Sequence, residues 1–374
     1  MGEGIQNWRK ELRFPVKKYF SVAILIIAIT FLLATPTSAQ INVGGEVKTS
    51  LVGTLDQEGN ISSYPQGSLD LELFLPPFDN TQTKFEMYFF DNSISGEFDY
   101  LIKKLYLKHK FEKLHLTVGR QPISWSFGSL LNPVDFSLGA MTMEEETSTK
   151  YQNAIEGYMP LNWNTSVSVV AAFPESSQNI KWGLRGRTVI EGYDLTLNYV
   201  QEPEIERIGF TGKGDLGPLG IYGAVGYYSK DNDNDDLAYL IGGDYSHFFE
   251  MGNKVYLQLE YLSIKRGNLS SILGPFFSGN ITDNLDEKVG LLLGLANYEI
   301  DEFSQISLMT ISSLNDKSMI ITPGYHNQLS SNLSFNFDTA IYFGKDSTLF
   351  GPGLSEEIQK KSKAIIEAGF TYTF

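Results

Sequence analysis

The chain ends on Ala364-Ile365-Ile366-Glu367-Ala368-Gly369-Phe370-Thr371-Tyr372-Thr373-Phe374. Side chains alternate across an extended strand, so Ala364, Ile366, Ala368, Phe370, Tyr372 and Phe374 share one face. Ile365, Glu367, Gly369, Thr371 and Thr373 share the other. One face is apolar and finishes on aromatics, and the other is mostly polar. The same period of two recurs upstream. Leu69, Leu71, Leu73 and Leu75 alternate with Ser68, Asp70, Glu72 and Phe74. Phe85, Met87 and Phe89 alternate with Lys84, Glu86 and Tyr88. Runs at 193–199, 254–261 and 333–341 behave alike, with turn residues between them. With Tyr 20, Phe 25 and Gly 35, the composition suits β structure. Alternation alone does not separate a soluble sandwich from a barrel in lipid.

The connections separate them better. Those at 112–113, 161–164, 191–192, 217–218, 251–253, 301–302 and 330–332 are tight. Between them lie connections at 122–150, 174–180, 230–236, 265–287 and 345–359, most of them longer. Short turns at one end and long loops at the other are the asymmetry of a bacterial outer-membrane barrel. Counting runs predicts an all-β, antiparallel up-and-down transmembrane barrel of about 18 strands, with 16 possible because the runs at 98–111 and 303–329 have weak boundaries. Ile41 and Phe374 are expected in adjacent strands that close it.

Residues 1–39 read as a removable leader. Arg9, Lys10, Arg13, Lys17 and Lys18 precede an uncharged apolar run at 21–34, and Thr37-Ser38-Ala39 supplies the small residues of a cleavage site. The run is short for the roughly 20 residues of a membrane helix. The mature chain is expected to begin at Gln40 and to form one domain, 40–374. The net charge is −15, and loss of the basic leader makes the remainder more acidic, which disfavours nucleic acid. There is no cysteine, which excludes a disulfide framework and thiolate metal sites.

The closing strand resembles the C-terminal signal of outer-membrane β-barrels. That resemblance implies that Phe370, Tyr372 and Phe374 are read by the outer-membrane barrel assembly machinery. The whole chain after the leader resembles porin-like barrels. The segment Gly119-Arg120-Gln121 through Trp125 to Asn132-Pro133-Val134-Asp135 is similar to a motif of substrate-selective barrels of the alginate-export and DUF1302 type. That motif covers few residues, and no substrate carries over from it. The resemblance implies a third outer loop that bends into the lumen.

The loop's own residues agree. Residues 119–151 follow the fifth run and have no period of their own, and such long loops are usually functional or disordered. Trp125, Phe127, Leu130, Leu131 and Phe136 make this one too apolar for a solvated tail. It is expected to fold into the barrel as a constriction, with Arg120 and Asp135 as a pinning pair and Glu144, Glu145 and Glu146 near a basic wall. Parity places Lys104, Lys108, Lys181, Arg185, Arg187, Arg207 and Lys213 on that wall. Asp70, Glu72 and Glu86 (with Glu46) on early strands, and Asp244, Glu260 and Asp338 (with Glu367) on late ones, form an acidic wall. Two readings stay open: a transverse field across the lumen, or charges that pair with neighbours along the wall.

Catalysis and metal binding have little support. His109, His115, His247 and His326 begin no zinc motif, and His109 and His115, which a hydrolase would need beside a Ser or Asp, sit near a periplasmic turn far from the outer loops where such sites lie. Residues 231–236 alternate oxygen ligands but have Asp236 where a calcium loop needs glycine, and read as a solvated acidic loop. No cofactor is expected. The expected role is passive diffusion of small hydrophilic solutes across the outer membrane, with outer-membrane lipid as the surround. The alternative is a barrel serving as a surface adhesin, receptor or envelope-structural protein. Oligomeric state is not readable.

Overall fold

The computed structural model describes residues 41–92, 97–138, 151–173, 180–230, 235–250, 252–273, 285–345, 348–354 and 361–374. The expected leader and Glu144, Glu145 and Glu146 lie outside them. The described chain is nearly all strand. In order these are β1 (Asn42–Asp56), β2 (Ile61–Phe74), β3 (Thr81–Asn92), β4 (Glu97–Lys110), β5 (His115–Pro122) and β6 (Tyr151–Pro160). Then come β7 (Thr165–Ala172), β8 (Lys181–Ile190), β9 (Tyr193–Gln201), β10 (Ile205–Leu216), β11 (Leu219–Lys230) and β12 (Asp236–Phe248). The series ends with β13 (Lys254–Lys265), β14 (Lys288–Glu299), β15 (Ser304–Ser313), β16 (Met319–Ser330), β17 (Leu333–Phe343), β18 (Gly353–Leu354) and β19 (Lys361–Thr373). One helix, α1 (Arg266–Leu273), follows β13.

Each strand pairs antiparallel with its neighbour in sequence, and β1 pairs with both β2 and β19. The two-residue β18 pairs only with β19, which also pairs directly with β17, so the closed wall has 18 strands. At the seam Gly45 and Phe374 exchange backbone hydrogen bonds of 3.2 and 3.0 Å. Closure leaves no unpaired edge, which is what lets a sheet stand in hydrocarbon. The expected seam between the first and last strands therefore forms, with Gly45 bonded to Phe374.

Local chemistry fits the turns. Glu191 and Gly192 both have positive φ, as a type I′ hairpin requires, and Gly217 at φ 62° precedes Pro218 in the manner of a type II′ turn. Outward side chains are apolar and exposed, among them Leu184, Leu197, Ile208, Phe210, Ile241 and Leu259. Aromatics ring both ends of this band. Phe111, Trp163, Phe248 and Phe303 stand exposed near the short turns, and Tyr100, Trp182, Tyr227 and Tyr239 near the long loops. An apolar band between two aromatic girdles requires a lipid surround. Phe370 packs on Phe335 on this outer face, ring centroids 5.3 Å apart.

The structure departs from the sequence reading at two places. In β4 the register slips between Glu86 and Met87, so one residue is extra there. That bulge turns Lys103 inward together with Lys104. The acidic stretch 231–236 is not wholly a solvated loop. Asp236 opens β12, is buried and pairs with Lys288 at 2.7 Å, because the strand start places it beneath α1. Residues 231–234 lie outside the described residues.

Candidate functional site

Residues 123–138 leave the end of β5 and lie on the inner face of the wall. The face is identified by β10, where Ile208 and Phe210 are exposed while Arg207, Gly209 and Thr211, which alternate with them, are buried. Ile123, Trp125, Leu130, Leu131, Val134 and Phe136 are all buried. Trp125 and Phe136 pack at 5.2 Å between centroids, against Val170, Ala172 and Val200.

The wall makes room for them by omitting side chains. A Cβ on Gly183 would stand 2.7 Å from the Trp125 ring and 2.9 Å from Phe136. A Cβ on Gly226 would stand 2.6 Å from Val134, and Gly209, its direct partner on β10, faces the same valine. Glycine in a strand interior often marks a close approach of another part of the chain.

Within the segment, Asp135 is the organising group. Its carboxylate accepts from the Trp125 N–H at 2.6 Å, the Ser124 hydroxyl at 2.8 Å and the Ser137 N–H at 3.3 Å. Asn132 closes the bend, donating to the Trp125 carbonyl at 3.0 Å and accepting from the Val134 N–H at 3.0 Å. Burial pushes the Asp135 carboxyl above its usual range, against the opposing pull of those hydrogen bonds and of the Arg207 charge.

The wall then grips the segment through its backbone. Arg207 Nη1 donates to the Asp135 carbonyl at 2.7 Å and Nη2 to the Phe136 carbonyl at 3.2 Å. Tyr228 donates to the Pro133 carbonyl, and Asn198 to the Val134 carbonyl at 3.3 Å. Gln258 donates to the Gly128 carbonyl at 3.0 Å, and Glu260 accepts from the Leu130 N–H at 2.7 Å. Tyr222 and Gln258 also donate to that Glu260 oxygen, each at 2.8 Å. Behind Arg207 stands Glu202, paired at 2.6 Å with Arg207 and at 3.1 Å with Lys181. Burial raises the Glu202 carboxyl, but the two cations outweigh it and hold it below the ordinary carboxylate range. Lys181 also lies 4.6 Å over the Phe136 ring.

The sequence-expected site residues divide by these contacts. Trp125, Asp135, Lys181, Arg207 and Glu260 come together around the segment. Arg120 donates to the Ile102 carbonyl, and the cation on the segment's backbone at Asp135 is Arg207. Lys213 lies 5.7 Å from the Tyr222 ring centroid, beside Gly128. Arg187 forms a two-pronged pair with Asp194, its shortest contact 2.6 Å. Arg185 stands in register between Ser168 and Asn198, and Lys108 opposite Thr117. Among the acids, Glu86 pairs with Lys103 and Lys104, Asp70 with Lys103, and Glu72 with Lys84 at 2.8 Å. Asp244 faces Gly220, and Asp338 lies in register with Glu367, which pairs with Lys48 at 2.9 Å. The ion pairs of Arg187, Glu86, Asp70, Glu72 and Glu367 all join neighbours along the wall. Lys48, Lys103, Asn198, Tyr222, Tyr228 and Gln258 were not singled out in the sequence.

The barrel is similar to several solved outer-membrane proteins. OccAB1 of Acinetobacter baumannii superimposes with a TM-score of 0.59 at 10% identity, covering 89% of this chain and 96% of that one. The fold is that of bacterial outer-membrane barrels. Wzi of Escherichia coli, an outer-membrane protein involved in group 1 capsule assembly and a carbohydrate-binding β-barrel, gives 0.57 at 12% identity over 88% of this chain and 84% of that one. OccK8 (OprE) of Pseudomonas aeruginosa gives 0.56 at 8% identity, over 90% and 98%. No family model and no curated protein matches the sequence, so the likeness of 119–135 to alginate-export and DUF1302-type barrels rests on those residues alone.

Proposed function

We propose that the chain is an outer-membrane channel for passive diffusion of small hydrophilic solutes, narrowed from within by residues 123–138. One observation carries this reading. A polar-backboned segment lies on the inner face of a closed wall, and Arg207, Tyr228, Asn198 and Glu260 satisfy its carbonyls and N–H groups. Inward folding of this kind is costly unless each buried polar group finds a partner, so such a segment belongs to the lumen's design. A wall of 18 strands is wide enough to leave water beside it. The motif at 119–135 supports a selective rather than a general channel. Phe370, Tyr372 and Phe374 on the closing strand support recognition by the barrel assembly machinery. The role is non-catalytic in this reading.

Single-channel recording of the refolded protein tests it. Discrete openings are expected, and deletion of 126–146 should raise conductance several-fold. A folded barrel that passes no current would instead favour the adhesin, receptor or structural role. Unchanged conductance in a folded deletion variant would remove the constriction.

A further inference from the structure

The inner face of the wall divides into two arcs. From β5 to β15 the inward side chains towards the long loops are shut from solvent, whereas nearer the short turns Arg187 stays exposed and Glu156, Arg185 and Asp244 half-buried. Val170, Ala238, Leu262, Leu291 and Leu293 are each 0% exposed and Tyr228 1%. Three separate pieces of chain join the core that covers them. Leu130 and Leu131 come from the segment after β5, Leu269 and Leu273 from α1, and Leu349 and Phe350 from the stretch before β18. The last two pieces have their own fastenings. Asn268 donates to Asp236 at 2.9 Å. The Leu349 N–H donates to Asp316 at 2.6 Å, and the Phe350 N–H to the Ser318 hydroxyl at 2.9 Å. A close-packed apolar core of this kind holds no water.

The other arc, β16, β17, β19 and β1–β4, differs in kind. Glu46, His326 and Asp338 are exposed, and Gln66, Ser68, Asn336 and Thr371 half-buried. Eight of its charges form four opposite-sign pairs, Lys48 with Glu367, Lys84 with Glu72, Lys103 with Asp70 and Lys104 with Glu86, while Glu46 and Asp338 add carboxylates beside them. Fields of adjacent opposite charges cancel over distances longer than the pair itself, so the pairs present dipoles rather than a net sign.

We infer that solutes cross along this polar arc alone, off the barrel's axis, and that the class it suits is small uncharged or zwitterionic hydrophilic molecules. The inference rests on the channel reading. The wedge opposite is built from three segments, not from the loop after β5 only. It converts more than half of the wall's strands into support. Among the described residues, what remains for water is the arc whose hydroxyls, amides and paired charges match the hydrogen-bonding groups of a polar, uncharged solute.

The absence of cysteine makes the path directly mappable. Ser68→Cys, Asn336→Cys and Thr371→Cys place single thiols on the open arc. Thr196→Cys, Ala238→Cys and Ser313→Cys place them on the filled arc, where the native residues are 3%, 0% and 1% exposed. A sulfonated methanethiosulfonate reagent is applied to single channels in a bilayer, and in parallel to folded protein in detergent with labelling read by mass. Open-arc thiols should label quickly and lose roughly half or more of the current, and filled-arc thiols should label at least about tenfold more slowly without loss. Equal labelling of the two sets, or block from the filled arc, overturns the inference even in a working channel. A barrel without current refutes the channel reading instead, while the mass readout still decides which arc is wet. Reversal potential in a potassium chloride gradient tests the solute class. A value near zero is expected, and strong selectivity for either ion overturns it.

Discussion

Arg207→Ala is the sharpest probe of how the inward segment is held. Arg207 is 2% exposed. It makes two charge-assisted bonds to carbonyls, at 2.7 and 3.2 Å, and an ion pair with Glu202 at 2.6 Å. Hydrogen bonds to charged groups contribute about 1.5–3 kcal/mol each. Breaking a buried pair by removing one partner costs about 3–5 kcal/mol, since the remaining groups stay desolvated. Lys181 still neutralises part of Glu202, so the low end of about 3 kcal/mol is the fair figure. At 1.4 kcal/mol per tenfold, release of residues 134–138 from the wall should become on the order of 100-fold more frequent. Tyr228, Asn198 and Glu260 keep their own contacts, so the segment should flicker rather than leave. The expected record is excess open-channel noise and a raised mean conductance, with faster proteolysis near Pro133 in the folded barrel. Arg207→Lys, which keeps the charge and loses the fork, should fall between. Arg207→Ala combined with Glu202→Gln should recover part of the loss, because the stranded carboxylate is gone. An Arg207→Ala protein with wild-type conductance, noise and protease resistance would refute the anchoring account.

Four further outcomes are expected. Asp135→Ala should destabilise the segment by roughly 2–4 kcal/mol by orphaning buried donors, whereas Asp135→Asn, which keeps one acceptor oxygen, should cost clearly less; Trp125 fluorescence reports both. Gly226→Val should displace Val134 and raise conductance without unfolding the barrel, and unchanged gating would show that the groove is not filled as described. Leu257→Arg on the lipid face should cost about 2–4 kcal/mol of folding free energy in lipid, and Asn336→Ala on the inner face much less; equal costs would invert the assigned faces. On acidification, Asp135, raised in the folded state, should first favour the anchored segment as it takes up its proton. Glu202, held low, contributes stability above the ordinary carboxylate pKa of about 4.3 that is lost only as pH falls through its lower folded value. Protease protection should therefore hold or rise slightly from pH 7 towards about 4.5 and fall below it, the fall being absent in Glu202→Gln.

The wall was readable because period two and turn chemistry are local. Glu191-Gly192 and Gly217-Pro218 declare their hairpins, and the length and apolarity of the connection after Pro122 declare that it must be covered. The interior was readable only in part. Parity sorts residues into faces, but the bulge at Lys103 breaks it, and nothing short of the cross-strand register reveals a bulge. Parity also says nothing of what covers a face. Nothing local marks Tyr228, Asn198 and Gln258, because their role depends on a segment 64 to 130 positions away. One signal was present and unused. In β14, Leu291, Leu292, Leu293 and Leu295 do not alternate with polar residues. A strand between lipid and water should alternate, so a continuous apolar run means both faces are dry. That run points to the wedge.

The filled arc also explains why the wall tolerates so much glycine where function is placed. Gly183, Gly209 and Gly226 weaken their strands by removing side chains that would pack. Gly209 and Gly226 are register partners, so the two omissions merge into one hollow, and Val134 fills it. The segment thus returns to β10 and β11 the packing those strands gave up. The exchange works only if Val134 arrives in a fixed position, and position is what Asn132, Asp135 and Arg207 supply on either side of it. The polar grip and the apolar hollow are therefore one device. Removing the grip leaves a void beside lipid-facing strands, and filling the hollow leaves the grip aimed at displaced carbonyls. Arg207→Ala and Gly226→Val should accordingly be less than additive, since each alone already uncouples the segment from the wall.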